Sequence, residues 1–244
     1  MTAFPLGRND LKLVWITDPL ALMAERAARA GKARLGRDGR PTREWFLRDR
    51  VFETGLERLE PRVRALGVGD LGGHIDDFAR ALLAEGRLSA RRDASALNWR
   101  FSNPDRTREP ILLAWLDGQD VGGLLLAEIT KITQMDAPTL EIIDLVARAE
   151  CADHALPAMV RSLVRNAARL GCARVRLSVG PEDLETRLVT VPGMLRRRGH
   201  EHGFIRARPR AEAQIQDWRL TPYDGEFGIC FRPPPRPLQR DLAA

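Results

Sequence analysis

The strongest constraint on the fold is a junction in the third quarter of the chain. The apolar run LEIIDLVA (140–147) passes through a short turn, RAECADHA (148–155), into LPAMVRSLVRNAARLG, a helical stretch reaching Leu170 and stopped by Gly171. A short apolar run bounded by turn signals predicts a strand buried on both faces, and so a central member of a sheet. The glycine ends the helix because it takes the left-handed backbone conformation at little steric cost. A strand feeding a helix in this way leaves the first helical amides open to an anion, which the helix dipole favours. Turns that hold phosphates usually carry glycines, so that a ligand reaches bare backbone. This turn has none and carries Glu150 and Asp153 instead.

The text on either side extends the sheet. ILLAWL, a DGQD turn and VGGLLLAEITKI predict a β-hairpin, because Asp-Gly separates two strand-like runs. PRVRALGVGD sets Val63, Ala65 and Gly67 at alternate positions, the first two beside arginines, as an edge strand would, and CARVRLSV (172–179) alternates Ala173, Val175, Leu177 and Val179. GGHIDDFARALLAEG (72–86) predicts a helix on Ile75, Phe78, Ala79 and Leu82. RRDASALNWRFSNP (91–104) predicts a short helix capped by Asp93 and ended at Asn103-Pro104. PEDLETRLVTVPGMLRRRG (181–199) is helical with a break at Pro192-Gly193, so RRRGH (196–200) reads as a charged helix end. HEHGFIRAR (200–208) and AQIQDWRLTP (213–222) are expected as closing strands. From residue 61 the order is β-α-α-β-β-β-α-β-α-β-β, a mixed α/β fold with a mostly antiparallel sheet flanked by helices.

Residues 1–60 show helical stretches at 19–34 and 43–60 and no clear strand, which predicts a helical N-terminal arm with a surface for pairing two copies. Residues 61–231 form the main domain, and the proline-rich 232–244 read as a flexible tail. No apolar run approaches the roughly 20 residues that span a bilayer. Cys151, Cys172 and Cys230 are odd in number and widely spaced, which fits reduced thiols and a cytoplasmic protein. The net charge is +6, and arginine supplies nearly all the positive charge, since Lys12, Lys32 and Lys131 are the only lysines. That charge is spread along the chain rather than striped, which argues against a nucleic-acid interface.

The hairpin at 111–131, LEIIDLVA with its turn and helix, and the run from CARVRLSV to GHEHGFIRAR follow one another as in a known family. Over residues 61–231 the chain resembles the GNAT acyltransferase fold. RRDASALNWRFSNP and DWRLTPYDGE are also similar to stretches in GNAT-like proteins of bacterial envelope and exopolysaccharide gene neighbourhoods. The resemblance implies an N-acyltransferase that moves an acyl group from acetyl-CoA or another acyl-CoA to an amine, on a small molecule, a sugar or an envelope glycan precursor. It implies that the strand ending in Leu145, Val146 and Ala147 splays from its neighbour and holds the pantetheine arm as an added strand. It places the pyrophosphate on the turn and helix start at Arg148, Cys151, Ala152, Asp153 and His154. The family's turn reads Gln/Arg-x-x-Gly-x-Gly/Ala, and here only Arg148 is kept. Cys151 is expected to put a side chain where backbone should approach, and Asp153 to cap the helix with its carboxylate. Glu150 and Asp153 repel an anion unless Arg148, Arg161 or His154 offsets them. The rival readings are a GNAT-shaped interaction or regulatory protein without catalysis, and a basic nucleic-acid binder.

Asp144 is the most unusual acid, set within an apolar strand, and is the first candidate to accept an amine proton. The competing reading is an acid satisfied by an arginine or by backbone amides. Glu128 and Glu141 are alternatives on adjacent strands, and strand alternation predicts that Asp144 and Glu141 face opposite ways. Tyr223, the only tyrosine, lies beyond the last strand, so Cys172 and His154 are the remaining candidates for an acid. His200 and His202 share a strand face but lack a third ligand, and no metal is expected. Trp99, Phe101 and Trp218 are expected in the core.

Overall fold

The hairpin turn shows how local chemistry starts the sheet. Asp117 and Asp120 pair across Gly118-Gln119, and Gly118 has φ +65°, the conformation a tight two-residue turn asks of its first residue. The computed structural model describes residues 3–5, 11–35, 56–86, 90–101, 110–130, 136–178, 183–198, 204–206 and 221–224. In chain order its strands and helices are β1 (Ala3–Pro5), β2 (Leu11–Ile16), α1 (Pro19–Leu35), β3 (Val63–Leu66), α2 (Gly73–Ala84), α3 (Ala94–Phe101), β4 (Ile111–Asp117), β5 (Asp120–Thr130), β6 (Thr139–Ala147), α4 (Ala152–Ala167), β7 (Arg174–Leu177), α5 (Asp183–Leu188), β8 (Met194–Arg198) and β9 (Phe204–Arg206). The main sheet has seven strands in the order β3-β4-β5-β6-β7-β2-β8. Only β6 and β7 run parallel.

Each face of the sheet buries its own apolar cluster. On one face α4 and α5 cover Leu125, Ala127, Leu140, Ile142 and Leu145, and on the other α2 and α3 cover Leu124, Leu126 and Ile143. Gly122 and Gly123 bring α4 close to β5, because a Cβ on either would lie 2.8–2.9 Å from Trp115 or Met159. Local signals set the helix ends. Asp93 Oδ1 accepts the Ala96 N–H at 2.9 Å and caps α3. Asp18 does the same for Ala21 at 3.0 Å, with Pro19 in the first helical position. Past α4, Cys172 N–H meets the Ala167 carbonyl and Gly171 N–H meets the Ala168 carbonyl, with Gly171 at φ +76°.

The element order predicted from residue 61 matches as far as the helix at Asp183–Leu188, and several assignments are corrected. The N-terminal segment is not purely helical, because β2 is an interior strand between β7 and β8, with Leu13 and Trp15 in the core under α4. Residues 56–60 are not helical, since side chains on α4 take their amides. Asn166 Oδ1 accepts from Glu57 and Arg58, and Ser162 Oγ accepts from Glu60. The earlier part of that stretch, 43–55, lies outside the described residues. Met194–Arg198 is an edge strand rather than a charged helix end: Gly193 at φ +77° ends the turn, and β2 then offers ladder partners from Leu11 to Trp15. β9 pairs with β1 in a separate two-stranded sheet instead of closing the main one. Trp99 is 79% exposed, because helical spacing turns Leu97 and Phe101 inward and Trp99 outward. Trp218, His200, His202, most of the second closing strand and the tail lie outside the described residues.

Candidate functional site

A β-bulge on β6 organises the chemistry. Leu126 pairs with Asp144 and Ala127 with Ile142, so Ile143 is an extra residue without an opposite number on β5. The bulge restarts the alternation. Asp144 and Glu141 therefore face the same side of the sheet, opposite Leu126 and Glu128 and away from α4, contrary to the regular alternation expected. Both are fully buried.

Asp144 is a structural acid. Its carboxylate accepts two bonds from Arg92, at 2.7 Å from Nε and 3.0 Å from Nη2, and one from the Thr221 hydroxyl at 2.7 Å. Arg92 also donates to the Ala90 carbonyl at 2.9 Å. Tyr223 lies between Arg92 and Arg100, whose guanidinium carbons stand 5.1 and 4.1 Å from its ring centre. Its hydroxyl donates to the Arg91 carbonyl at 3.0 Å and so is not placed to serve as the acid. The two strings RDASALNWRF and LTPYD thus meet around one carboxylate and tie α3, β6 and the turn at Pro222–Asp224 together. Asp144 is corrected from candidate base to the centre of this clamp. A carboxylate holding three charge-assisted bonds is committed to its donors.

Glu141 is built differently. It pairs with Glu128 on β5 and with Arg176 on β7, so one row of the sheet carries all three side chains. Arg176 Nη2 is in ion-pair contact with Glu141 Oε1, yet neither carboxylate oxygen has a hydrogen bond of proper alignment, and Arg176 Nε has none either. Burial pushes the Glu141 carboxyl above its ordinary range, against the opposing charges of Arg176, Lys12 and Arg174. Glu128 is half-buried beside it. Arg174 is committed elsewhere: its Nε donates to Thr139 Oγ1 at 2.8 Å, and its Nη2 pairs with the buried Glu25 of α1 at 3.3 Å.

The parallel pair β6/β7 joins only from Thr139↔Arg174 to Ile142↔Leu177. Past that point Ile143–Ala147 has no strand on its β7 side among the described residues, while its other edge stays paired to β5 as far as Ala147↔Gly123. Among the described residues the sheet forks there. Leu145 and Ala147 send their side chains under α4, Val146 packs on the opposite cluster, and the open edge is backbone. The fork leads to the start of α4, where Cys151 is the N-cap residue and no side chain caps the helix.

Three expectations about that turn are corrected. Cys151 is buried, with Sγ turned inward to Arg148 Nη2 at 3.7 Å and Asp117 Oδ2 at 4.0 Å, so it does not cover the helix start. Burial also pushes its thiol pKa up, against the charge of Arg148. Asp153 is not the cap: it sits in the first turn, 77% exposed, paired with Arg187 of α5. Glu150 pairs with Arg148 at 3.3 Å, while Arg161 is turned to Glu60 at 3.5 Å. The acids of the mouth are therefore offset by Arg148 and Arg187, and exposed His154 has no ion pair there among the described residues. Described residues offer no acceptor to the amides of Ala152 and Asp153. Glu85 at the end of α2 steadies the turn by accepting the Ala149 N–H at 2.8 Å. Pro157 falls in the second turn and cannot give the Asp153 carbonyl its helical donor.

The fold thus gathers the cofactor-type residues at one mouth and Glu141 with Glu128 at the foot of the fork, and sets Asp144 apart. The sequence reading missed Arg176, Glu25 and Arg187. The alternation of CARVRLSV, with its arginines opposite the apolar face, was the available signal for Arg176. Cys172 is buried, its Sγ 3.8 Å from the Leu170 carbonyl, and so is away from the fork. No three His, Cys, Asp or Glu among the described residues gather to hold a metal, and no described helix is long and apolar enough to cross a membrane. No family model, no curated protein and no solved structure matches this chain.

Proposed function

We propose that this chain is a GNAT-type N-acyltransferase, using acetyl-CoA or a related acyl-CoA to acylate an amine. The observation that carries this reading is the fork: a parallel strand pair that parts after four rungs, with a buried carboxylate at its foot and an uncapped helix start at its far end. An open strand edge binds an extended amide-bearing arm by β-addition. Residues 143–147 supply that edge. The amides of Ala152 and Asp153, with Arg148 and Arg187 beside them, suit an anion at the helix start, although Glu150 and Asp153 make the mouth less positive than a glycine-rich turn. The thioester supplies the activated acyl group. An acceptor ammonium must shed a proton before its nitrogen can attack, and Glu141 is the carboxylate poised to take it. Desolvation raises its proton affinity toward the working pH, where a base is most effective.

Two measurements on the full chain test this. Acetyl-CoA at about 100 times its Kd stabilises a binding protein by about 2.7 kcal/mol, a Tm rise of about 5–10 °C for a chain of this size. We expect that rise for wild type and for Glu141→Gln alike, with turnover about 10²- to 10⁴-fold lower in the variant. No shift at millimolar acetyl-CoA removes the enzymatic reading and favours a GNAT-shaped interaction protein. Unchanged turnover in the variant removes Glu141 as the base.

A further inference from the structure

The row containing Glu141 also says what kind of amine would fit. Glu141 Oε1 is in ion-pair contact with Arg176 Nη2 without an aligned hydrogen bond, while Glu141 Oε2 and Arg176 Nε are buried atoms without hydrogen-bond partners, and the two residues are register partners on β6 and β7. Buried polar atoms are nearly always satisfied, so an acceptor atom and a donor atom left without hydrogen bonds on two touching side chains call for a partner that brings both complements. The surroundings are close to neutral. Glu128 and Lys12 lie on the same side of the sheet as one acid and one base, and Arg174 is already neutralised by Glu25. A simple amine would leave Arg176 Nε without an acceptor, and an acid without an amine would leave Glu141 Oε2 without a donor.

We infer that the acceptor is zwitterionic, an amino-acid-like molecule whose ammonium meets Glu141 and whose carboxylate meets Arg176. This rests on the acyltransferase reading above. Cross-strand partners hold their side chains about 5 Å apart at the Cβ atoms, which suits charges separated by one or two carbons. The guanidinium is also the group best shaped to take a carboxylate. The position is the last but one rung of the β6/β7 ladder, next to the stretch of β6 proposed to hold the acyl donor.

The test uses wild-type protein with acetyl-CoA, the twenty standard amino acids and their carboxamides, which keep the amine and remove the negative charge. Release of the CoA thiol is followed for each pair. At least one amino acid is expected to exceed its carboxamide tenfold or more in kcat/KM, and Arg176→Gln to bring that ratio close to one. Carboxamides that match or surpass every amino acid overturn the inference, as does the absence of any amino-acid turnover by protein that binds acetyl-CoA. If acetyl-CoA gives no thermal shift, the acyltransferase reading falls by itself. The zwitterion site is then judged by the amino acids' own thermal shifts in the absence of CoA. A shift present in wild type and lost in Arg176→Gln supports it, and no shift in wild type ends it.

Discussion

Asp144 and Glu141 stand three residues apart on one strand, face the same side of the sheet, and are equally buried beside an arginine. Their surroundings differ in two respects. Asp144 has three well-aligned hydrogen bonds, and its arginine is buried with it. Glu141 has an ion-pair contact without alignment, and its arginine side chain is 23% exposed. A buried carboxylate with every bond made is part of the scaffold. One whose bonds are unmade keeps its capacity to bind or to change protonation. The comparison teaches that burial and charge alone do not distinguish a structural acid from a chemical one, whereas hydrogen-bond satisfaction does.

The largest expected effect that would break this comparison is on stability. Asp144→Ala leaves Arg92 buried without its counter-charge and should cost about 3–5 kcal/mol in urea denaturation. A loss under about 1 kcal/mol, the ordinary effect of a point mutation, would mean the clamp is not structural. Thr221→Val removes one bond to Asp144 with little change of shape, and should cost about 1–2 kcal/mol. Combined with Asp144→Ala it should cost less than the sum, because both changes act on one network.

The smallest effect sharpens the contrast by its sign. Glu141→Gln should change stability by about 1 kcal/mol or less, since Arg176 reaches water and Glu141 makes no aligned bond to lose. Burial raises the carboxyl's folded pKa above its unfolded value. Its contribution to stability is therefore fully present below the ordinary carboxylate range and is lost as pH rises through the raised folded value. Glutamine does not titrate. Thermal melts from about pH 4 to 8 should show the variant gaining on wild type as pH rises. A constant difference would place Glu141 with Asp144 as a second structural acid.

Much of the scaffold was readable from local text. The Asp-Gly turn, the Asp93 cap, the Gly171 stop and the 3.6-residue spacing of α2 each act within a few residues, so neighbours in sequence are enough to reveal them. The site was read less well, and for one physical reason. Regular alternation put Asp144 and Glu141 on opposite faces, and only the pairing of β6 with β5 reveals the bulge at Ile143. Asp144 drew notice as an acid in apolar text, but the groups that satisfy it come from residues 92 and 221. LKLVWI alternates well enough for a strand, yet a strand's place between β7 and β8 is a matter of long-range partners.

The type, order and ends of most elements between residues 61 and 188 follow from propensity, periodicity and capping, all of which act over a turn or a strand. Pairing between distant segments decided the rest: that an N-terminal strand fills the sheet, that the ladder between β6 and β7 stops after four rungs among the described residues, and that one acid has its hydrogen bonds made while its neighbour does not. A hydrogen bond requires its partner at about 3 Å, and only the folded chain brings residues 92, 144 and 221, or 141 and 176, that close.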